Sequence, residues 1–177
     1  MKKMLMLATF VVAGFVGVNA QAPDGFQFGA GARVSLPIGD FSETHSFGIG
    51  AEVQGEFGFS EGFSGVITSG YSQFFGKKTT VLGVEVEYDG VGYTPILAGV
   101  RYYAAPSFFI GAQAGYGLLF GNGNSDGAFN YQPSVGYNGS NFQVVLSYNG
   151  MSKDGSTLSH IGLSGIFKFG GGGMAKK

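Results

Sequence analysis

Five charged residues, Arg33, Glu52, Glu56, Arg101 and Lys168, sit among glycine, serine and glutamine on the polar side of alternating segments. Two chemistries suit such a set. Arginine and carboxylate can neutralise one another inside a protein if each charge finds its partner and further hydrogen bonds. The same residues can instead line a polar conduit. Two other groupings hold the residue types of a hydrolase, which needs serine, histidine and a carboxylate to converge. His160 directly follows Ser159, so on a strand the two side chains point to opposite faces. His45 and Ser46 lie near Glu43 in or beside a connecting segment. Neither grouping makes a triad, and no enzymatic role is expected. Residues 122–127, Asn-Gly-Asn-Ser-Asp-Gly, imitate the start of a calcium loop, but its twelfth position is Pro133 and not a bidentate glutamate. The glycines of residues 111–117 lie on a strand, without the strand–turn–helix setting of a phosphate loop. No catalytic residue, cofactor or metal is expected.

The elements that must carry these charges have a period of two. In residues 108–120, Phe108, Ile110, Ala112, Ala114, Tyr116, Leu118 and Phe120 alternate with Phe109, Gly111, Gln113, Gly115, Gly117 and Leu119. That is a long β-strand with one apolar face and one small, polar face. Seven further segments fit the template: residues 26–36, 46–59, 63–75, 92–103, 128–138, 142–149 and a last strand ending at Phe169. The third is the least regular, with Val66 and Phe74 on its polar side. Pro133 falls within the sixth, where it costs a ladder bond, and a bulge near the outer rim is expected there. The connections alternate long and short. Long ones are expected around Glu43, Val84, Asn124 and Lys153, and short turns at Glu61, Ala105 and Ser140. Part of the second long connection alternates Val84, Val86 and Tyr88 with Glu85, Glu87 and Asp89, as a projecting hairpin would.

Bulk composition narrows the setting. Of 177 residues, 12% are charged, where a soluble domain carries about 25%. The chain has 34 glycines and no cysteine. Lys2 and Lys3, an apolar run over residues 4–18 and Val18-Asn19-Ala20 read as a signal peptide over residues 1–20, cleaved after Ala20 or Ala22. No basic run suggests nucleic acid. Residues 170–177 read as a disordered tail following a barrel over residues 26–169.

Periodicity leaves open which face is inside. A lipocalin-like soluble barrel would turn the apolar face inward, but that face carries too many aromatic rings for the interior of eight strands. The small face fits a narrow lumen. With the apolar face on lipid, an Arg or Lys there would cost about 2–4 kcal/mol at the midplane, and none of the five charges falls on it. The fold class expected is all-β, an eight-stranded antiparallel up-and-down transmembrane β-barrel. Phe28, Phe57, Phe63, Tyr102, Phe108, Tyr137, Phe142 and Phe167 stand outward at the short-turn end of the eight strands, as a periplasmic aromatic girdle does.

The signal peptide, the eight strands, the stretch Leu36-Pro37-Ile38-Gly39-Asp40-Phe41 and the final Phe167-Lys168-Phe169 resemble the small outer membrane protein β-barrel domain family, of the OmpA/OmpX type. The resemblance spans nearly all of the mature chain. It implies the outer membrane of a double-membraned bacterium, contact with outer-membrane lipids, a monomer, and recognition of the terminal strand through Phe169 by the barrel-assembly machinery. Eight residues follow Phe169 here, where the family's pattern ends at the aromatic residue. The function expected is structural or surface interaction through four outer loops. The alternatives are a narrow channel for small or apolar molecules and, less favoured, a lipid-modifying enzyme.

Overall fold

A computed structural model describes residues 25–81, 84–121, 123–153 and 155–169. The signal peptide and the tail lie outside them. The elements in chain order are β1 (Phe26–Ile38), α1 (Phe41–Thr44), β2 (His45–Ser60), β3 (Phe63–Gly76), β4 (Lys78–Val81), β5 (Val84–Glu87), β6 (Val91–Ala105), β7 (Phe108–Gly121), β8 (Asn124–Asn138), β9 (Phe142–Lys153) and β10 (Ser156–Phe169). Eight of them close into an antiparallel barrel in the order β1-β10-β9-β8-β7-β6-β3-β2, while β4 and β5 form a separate two-stranded ribbon. Every barrel strand pairs with its neighbours in sequence, and β1 closes on β10 from Phe28–Phe169 to Ile38–Ser159. Alternation then decides the rest. Val34, Leu36, Ile67, Ile96, Leu146, Leu163 and Phe167 are exposed on the outer wall, while Arg33, Glu52, Glu56, Arg101 and Gln113 are buried within.

Two expected loops are not loops. The ladder between β7 and β8 runs on to Gly121–Asn124, and that between β9 and β10 to Lys153–Ser156. The sequence at these tips is Asn122-Gly123 and Asp154-Gly155, and Gly123 and Gly155 have φ of 75° and 84°. Such dipeptides allow the left-handed backbone of a tight hairpin, so strand pairing continues where polarity alone suggests a loop. The other two outer connections keep their length. One carries α1, and the other carries the β4–β5 ribbon, tied at its base by Lys78–Glu87 at 3.1 Å.

Pro133 does not sit in a bulge. The β8–β9 register is the same on both sides of it, from Tyr131–Gly150 to Ser134–Ser147, and only the bridges at Gln132 and Pro133 are missing. Pro95 does the same between β3 and β6, where pairing stops at Ser72–Tyr93 and resumes at Ser69–Ile96. Each proline withholds one N–H and shifts nothing.

The interior is fuller than a glycine- and serine-rich face suggests. Tyr103, Phe109, Val145 and Ile166 form one buried cluster; Phe41, Phe74, Tyr93, Ala128 and Met151 form another. The inward glycines make this possible. The ring of Phe109 occupies the space a side chain would need at Gly136, and Phe74 does so at Gly48. Small residues on one strand therefore receive large ones from another.

Candidate functional site

The barrel interior brings four of the five sequence-selected charges into two ion pairs. Nearer the chain termini, Arg101 Nη1 donates to Glu56 Oε2 at 2.6 Å, and Glu56 has no exposed surface. Ser64 and Tyr103 each donate to Glu56 Oε1 at 2.5 Å, and Gln143 Nε2 reaches Oε2 at 3.2 Å. Arg101 Nη2 also donates to Gln54 at 2.8 Å, and its guanidinium lies 4.5 Å from the ring centre of Phe109. A carboxylate with this many donors is well compensated for its removal from water.

One layer outward, Arg33 Nη1 donates to Glu52 Oε2 at 2.8 Å. Arg33 Nη2 donates to Ser147 Oγ at 2.6 Å and to Gln132 Oε1 at 3.2 Å. Gln132 donates in turn to Gln113, and Gln113 to Thr68, so the layer crosses the lumen from β1 to β3. Above it lies the outer aromatic cluster. Phe41 of α1 turns into the barrel mouth with its ring 4.9 Å from Phe74 and 4.6 Å from His45. His160 packs edge-on to Phe74 and Tyr93 at 5.1 and 5.4 Å. Lys77 Nζ donates to the carbonyl of Ser42 at 2.6 Å and holds α1 over the mouth.

Lys168 forms no ion pair among the described residues and meets the Glu56 cluster indirectly. Its Nζ donates to Asn138 Oδ1 at 2.7 Å and to the Gly139 carbonyl at 2.6 Å, which pins the β8–β9 turn, and Gln143, a donor to Glu56, donates to the same Asn138 Oδ1 at 3.0 Å. The strand position of Lys168 puts it at the rim, beyond the layer of Glu56.

The eight aromatic residues picked from the sequence lie in a row at the end where the termini and the three short turns meet. Cross-strand partners link Phe63 with Tyr102, Phe108 with Tyr137, and Phe142 with Phe167. Phe169 pairs with Phe28 and closes the row between the first and last strands.

Comparison with solved structures places this architecture. The attachment invasion locus protein Ail of Yersinia pestis matches at a TM-score of 0.56 and 14% identity, over 82% of this chain and 99% of that one. The N-terminal barrel domain of OprF from Pseudomonas aeruginosa matches at 0.56 and 12% identity, over 84% and 100%. Neisserial surface protein A matches at 0.53 and 13% identity, over 84% and 98%. The fold is that of the small outer-membrane β-barrels. No protein-family model and no curated protein matches the chain.

Within this barrel, neither serine–histidine grouping is assembled as a triad. Ser159 faces outward and shares a hydrogen bond of 2.8 Å with Tyr148 Oη, while His160 is inside the wall. His45 Nδ1 meets Thr44 Oγ1 at 2.8 Å, and Ser46 Oγ donates to the Phe75 carbonyl. The calcium-like segment is the β7–β8 hairpin and the start of β8, and among the described residues no group of three acidic, histidine or cysteine side chains could hold a metal ion. Sequence reasoning missed Phe41, Tyr93 and Tyr103. Alternation does put Tyr93 and Tyr103 on the inner face, but an aromatic residue there reads as noise until the facing glycines are known.

Proposed function

We propose that the protein is an outer-membrane barrel of a double-membraned bacterium with a closed interior, serving a structural or surface-interaction role. The observation that carries the reading is the filling of the lumen by three stacked layers: the Glu56 cluster, the Arg33–Glu52 layer and the aromatic cluster capped by Phe41. Side chains that cross the lumen in successive layers favour the structural role over the narrow channel. Exposed apolar side chains surround the wall on all strands, as lipid contact requires and water does not favour. The names of the similar proteins, an attachment locus protein and a surface protein, agree with a role at the cell surface.

In this reading the aromatic row from Phe28 to Phe167 is the periplasmic girdle, and Phe169 presents the last strand to the barrel-assembly machinery. The chain acts as a monomer. α1, the β4–β5 ribbon and the β7–β8 and β9–β10 hairpin tips form the four outer connections. Single-channel recording of the refolded protein in a planar bilayer tests closure: no discrete conductance is expected, and stepwise currents would restore the channel. Topology is tested separately, since the chain has no cysteine of its own. Single cysteines at Glu43, Val84, Asn124 and Lys153 should react with an impermeant thiol reagent on intact cells. Those at Glu61, Ala105 and Ser140 should react only after the outer membrane is breached.

A further inference from the structure

The apolar part of the outer wall does not end at one level all round. The aromatic row at the short-turn end supplies a common base, and the strands of a barrel share one tilt, so equal lengths of strand from the row reach equal depth. On β1 such a length runs from Phe28 to Ile38, and its last outward residues are Leu36 and Ile38. On β2 it runs from Phe57 to Phe47, and Phe47 and Ile49 are each 49% exposed. Both strands stay apolar to the top. β9 and β10 do not. Over the same length, β9 from Phe142 ends on Tyr148, Gly150 and Ser152, and β10 from Phe167 ends on Ser159 and Thr157. The change falls across a single pairing, since Ile38 of β1 lies opposite Ser159 of β10.

The hydroxyls on this face are joined to one another. Gly150 pairs with Tyr131 of β8 on one side and with Ser159 of β10 on the other. The Tyr131 ring occupies the space a side chain would need at Gly150. It lies 6.0 Å from the Tyr148 ring, and the two phenols share a hydrogen bond. Tyr148 Oη in turn bonds to Ser159 Oγ at 2.8 Å. Farther out, Thr157 Oγ1 donates to Ser152 Oγ at 3.3 Å. A hydroxyl carries one proton to donate. Three hydroxyls joined by two bonds, or two joined by one, therefore leave one O–H at the end of each chain, with no acceptor among the described residues.

We propose that the polar boundary of the outer leaflet dips along β8–β10, where ester and glycerol oxygens of outer-leaflet lipid accept from the Tyr131–Tyr148–Ser159 and Ser152–Thr157 chains, while hydrocarbon reaches up to Ile38 and Phe47 on β1 and β2. The inference rests on the membrane reading above. Hydrocarbon accepts no hydrogen bond, so an O–H left facing it forfeits the bond it makes in water. A lipid ester carbonyl accepts that bond and needs no donor in return. The bilayer adjusts to unequal apolar heights by thinning locally, at a modest cost per ångström.

The chain has no tryptophan, so a single one is a clean reporter. Phe47→Trp and Ser152→Trp place it at equal strand lengths from the aromatic row, and Leu146→Trp, lower on β9, controls for insertion. Each full-length variant is refolded into phosphatidylcholine vesicles, with part of the lipid replaced by an analogue brominated on the upper half of its acyl chains. Folding is checked by the gel-mobility shift on heating. Bromine should quench Phe47→Trp severalfold more than Ser152→Trp, and dissolved iodide should do the reverse. Adding Tyr131→Phe, Tyr148→Phe and Ser159→Ala to Ser152→Trp should raise its bromine quenching toward that of Phe47→Trp. If Ser152→Trp does not fold, Phe129→Trp, at the position paired with Ser152, takes its place. Equal bromine quenching of the two reporters overturns the proposal, and so does a difference that persists without the three hydroxyls. A Ser152→Trp reporter shielded from bromine and iodide alike also overturns it, and would give this face to a protein partner. Leu146→Trp left unquenched means that the chain is not in the bilayer, and the membrane reading falls together with this proposal.

Discussion

The two interior ion pairs are compensated in different ways. Glu56 receives Arg101, Ser64, Tyr103 and Gln143, whereas Glu52 receives Arg33 alone among the described residues. The walls around them differ in the same sense. Near Glu56 no proline interrupts a ladder: pairing passes through Ser64–Arg101 and Asn138–Gln143, and the irregularities there, at Gly58–Ser60 and Tyr103–Ala105, lie toward the turns. Near Glu52 the wall is interrupted on two sides. Pro95 withholds its N–H opposite Gly70, the β3 partner of Glu52, and Pro133 adjoins Gln132, which accepts from Arg33. One layer shares the cost of a buried carboxylate among several donors, and the other places it on a single arginine. A shared load tolerates the loss of one partner, and a concentrated load does not.

The largest effect should therefore come from Arg33→Met. It leaves Glu52 buried without a donor and should cost about 3–5 kcal/mol, the usual range for breaking one side of a buried pair. Urea unfolding of the vesicle-inserted barrel measures it. Adding Glu52→Gln removes the stranded charge and should recover a substantial part of the loss. Additive losses would mean that the two side chains are solvated separately, and the interior would then be wet.

Arg101→Met should cost less although its pair is the shorter one. Ser64, Tyr103 and Gln143 continue to donate to Glu56, so the loss should approach that of one charged hydrogen bond, about 1.5–3 kcal/mol. The order of the two variants is the decisive result. If Arg101→Met is the more damaging, the neutral donors do little for Glu56 and the distinction between the layers fails.

This asymmetry shows where sequence reading ends. Alternation suffices to lay out eight strands and to put Arg33, Glu52, Glu56 and Arg101 on one face, because a period of two is a local property of the backbone. Which arginine meets which glutamate depends on the stagger between strands, and no single strand carries that information. Glu52 and Glu56 lie four residues apart on the same face of β2, and only register against β1, β3 and β6 assigns them different partners. The outer hairpins could have been read more closely, since Asn122-Gly123 and Asp154-Gly155 are turn signals in their own right. Phe41 could not. It follows a positive-φ glycine in a short connection, and its burial depends on a mouth lined by Phe74 and His45 from other elements.

The smallest effect should come from the wall. Pro133 faces outward, so Pro133→Val leaves the interior side chains untouched and restores an N–H toward the Tyr148 carbonyl. One recovered ladder bond should raise stability by about 1 kcal/mol, near the net worth of a neutral hydrogen bond. Amide exchange should slow at Tyr148 and Asn149 and stay unchanged around Glu56, where no proline interrupts a ladder. Combined with Arg33→Met, the gain should fall short of additive, because Gln132 beside the proline is itself a partner of Arg33. A destabilised Pro133→Val would mean that the rigid proline backbone holds the strand better than the missing bond could. The looseness of the Glu52 layer would then lie in its side chains alone, with the wall no weaker there than around Glu56.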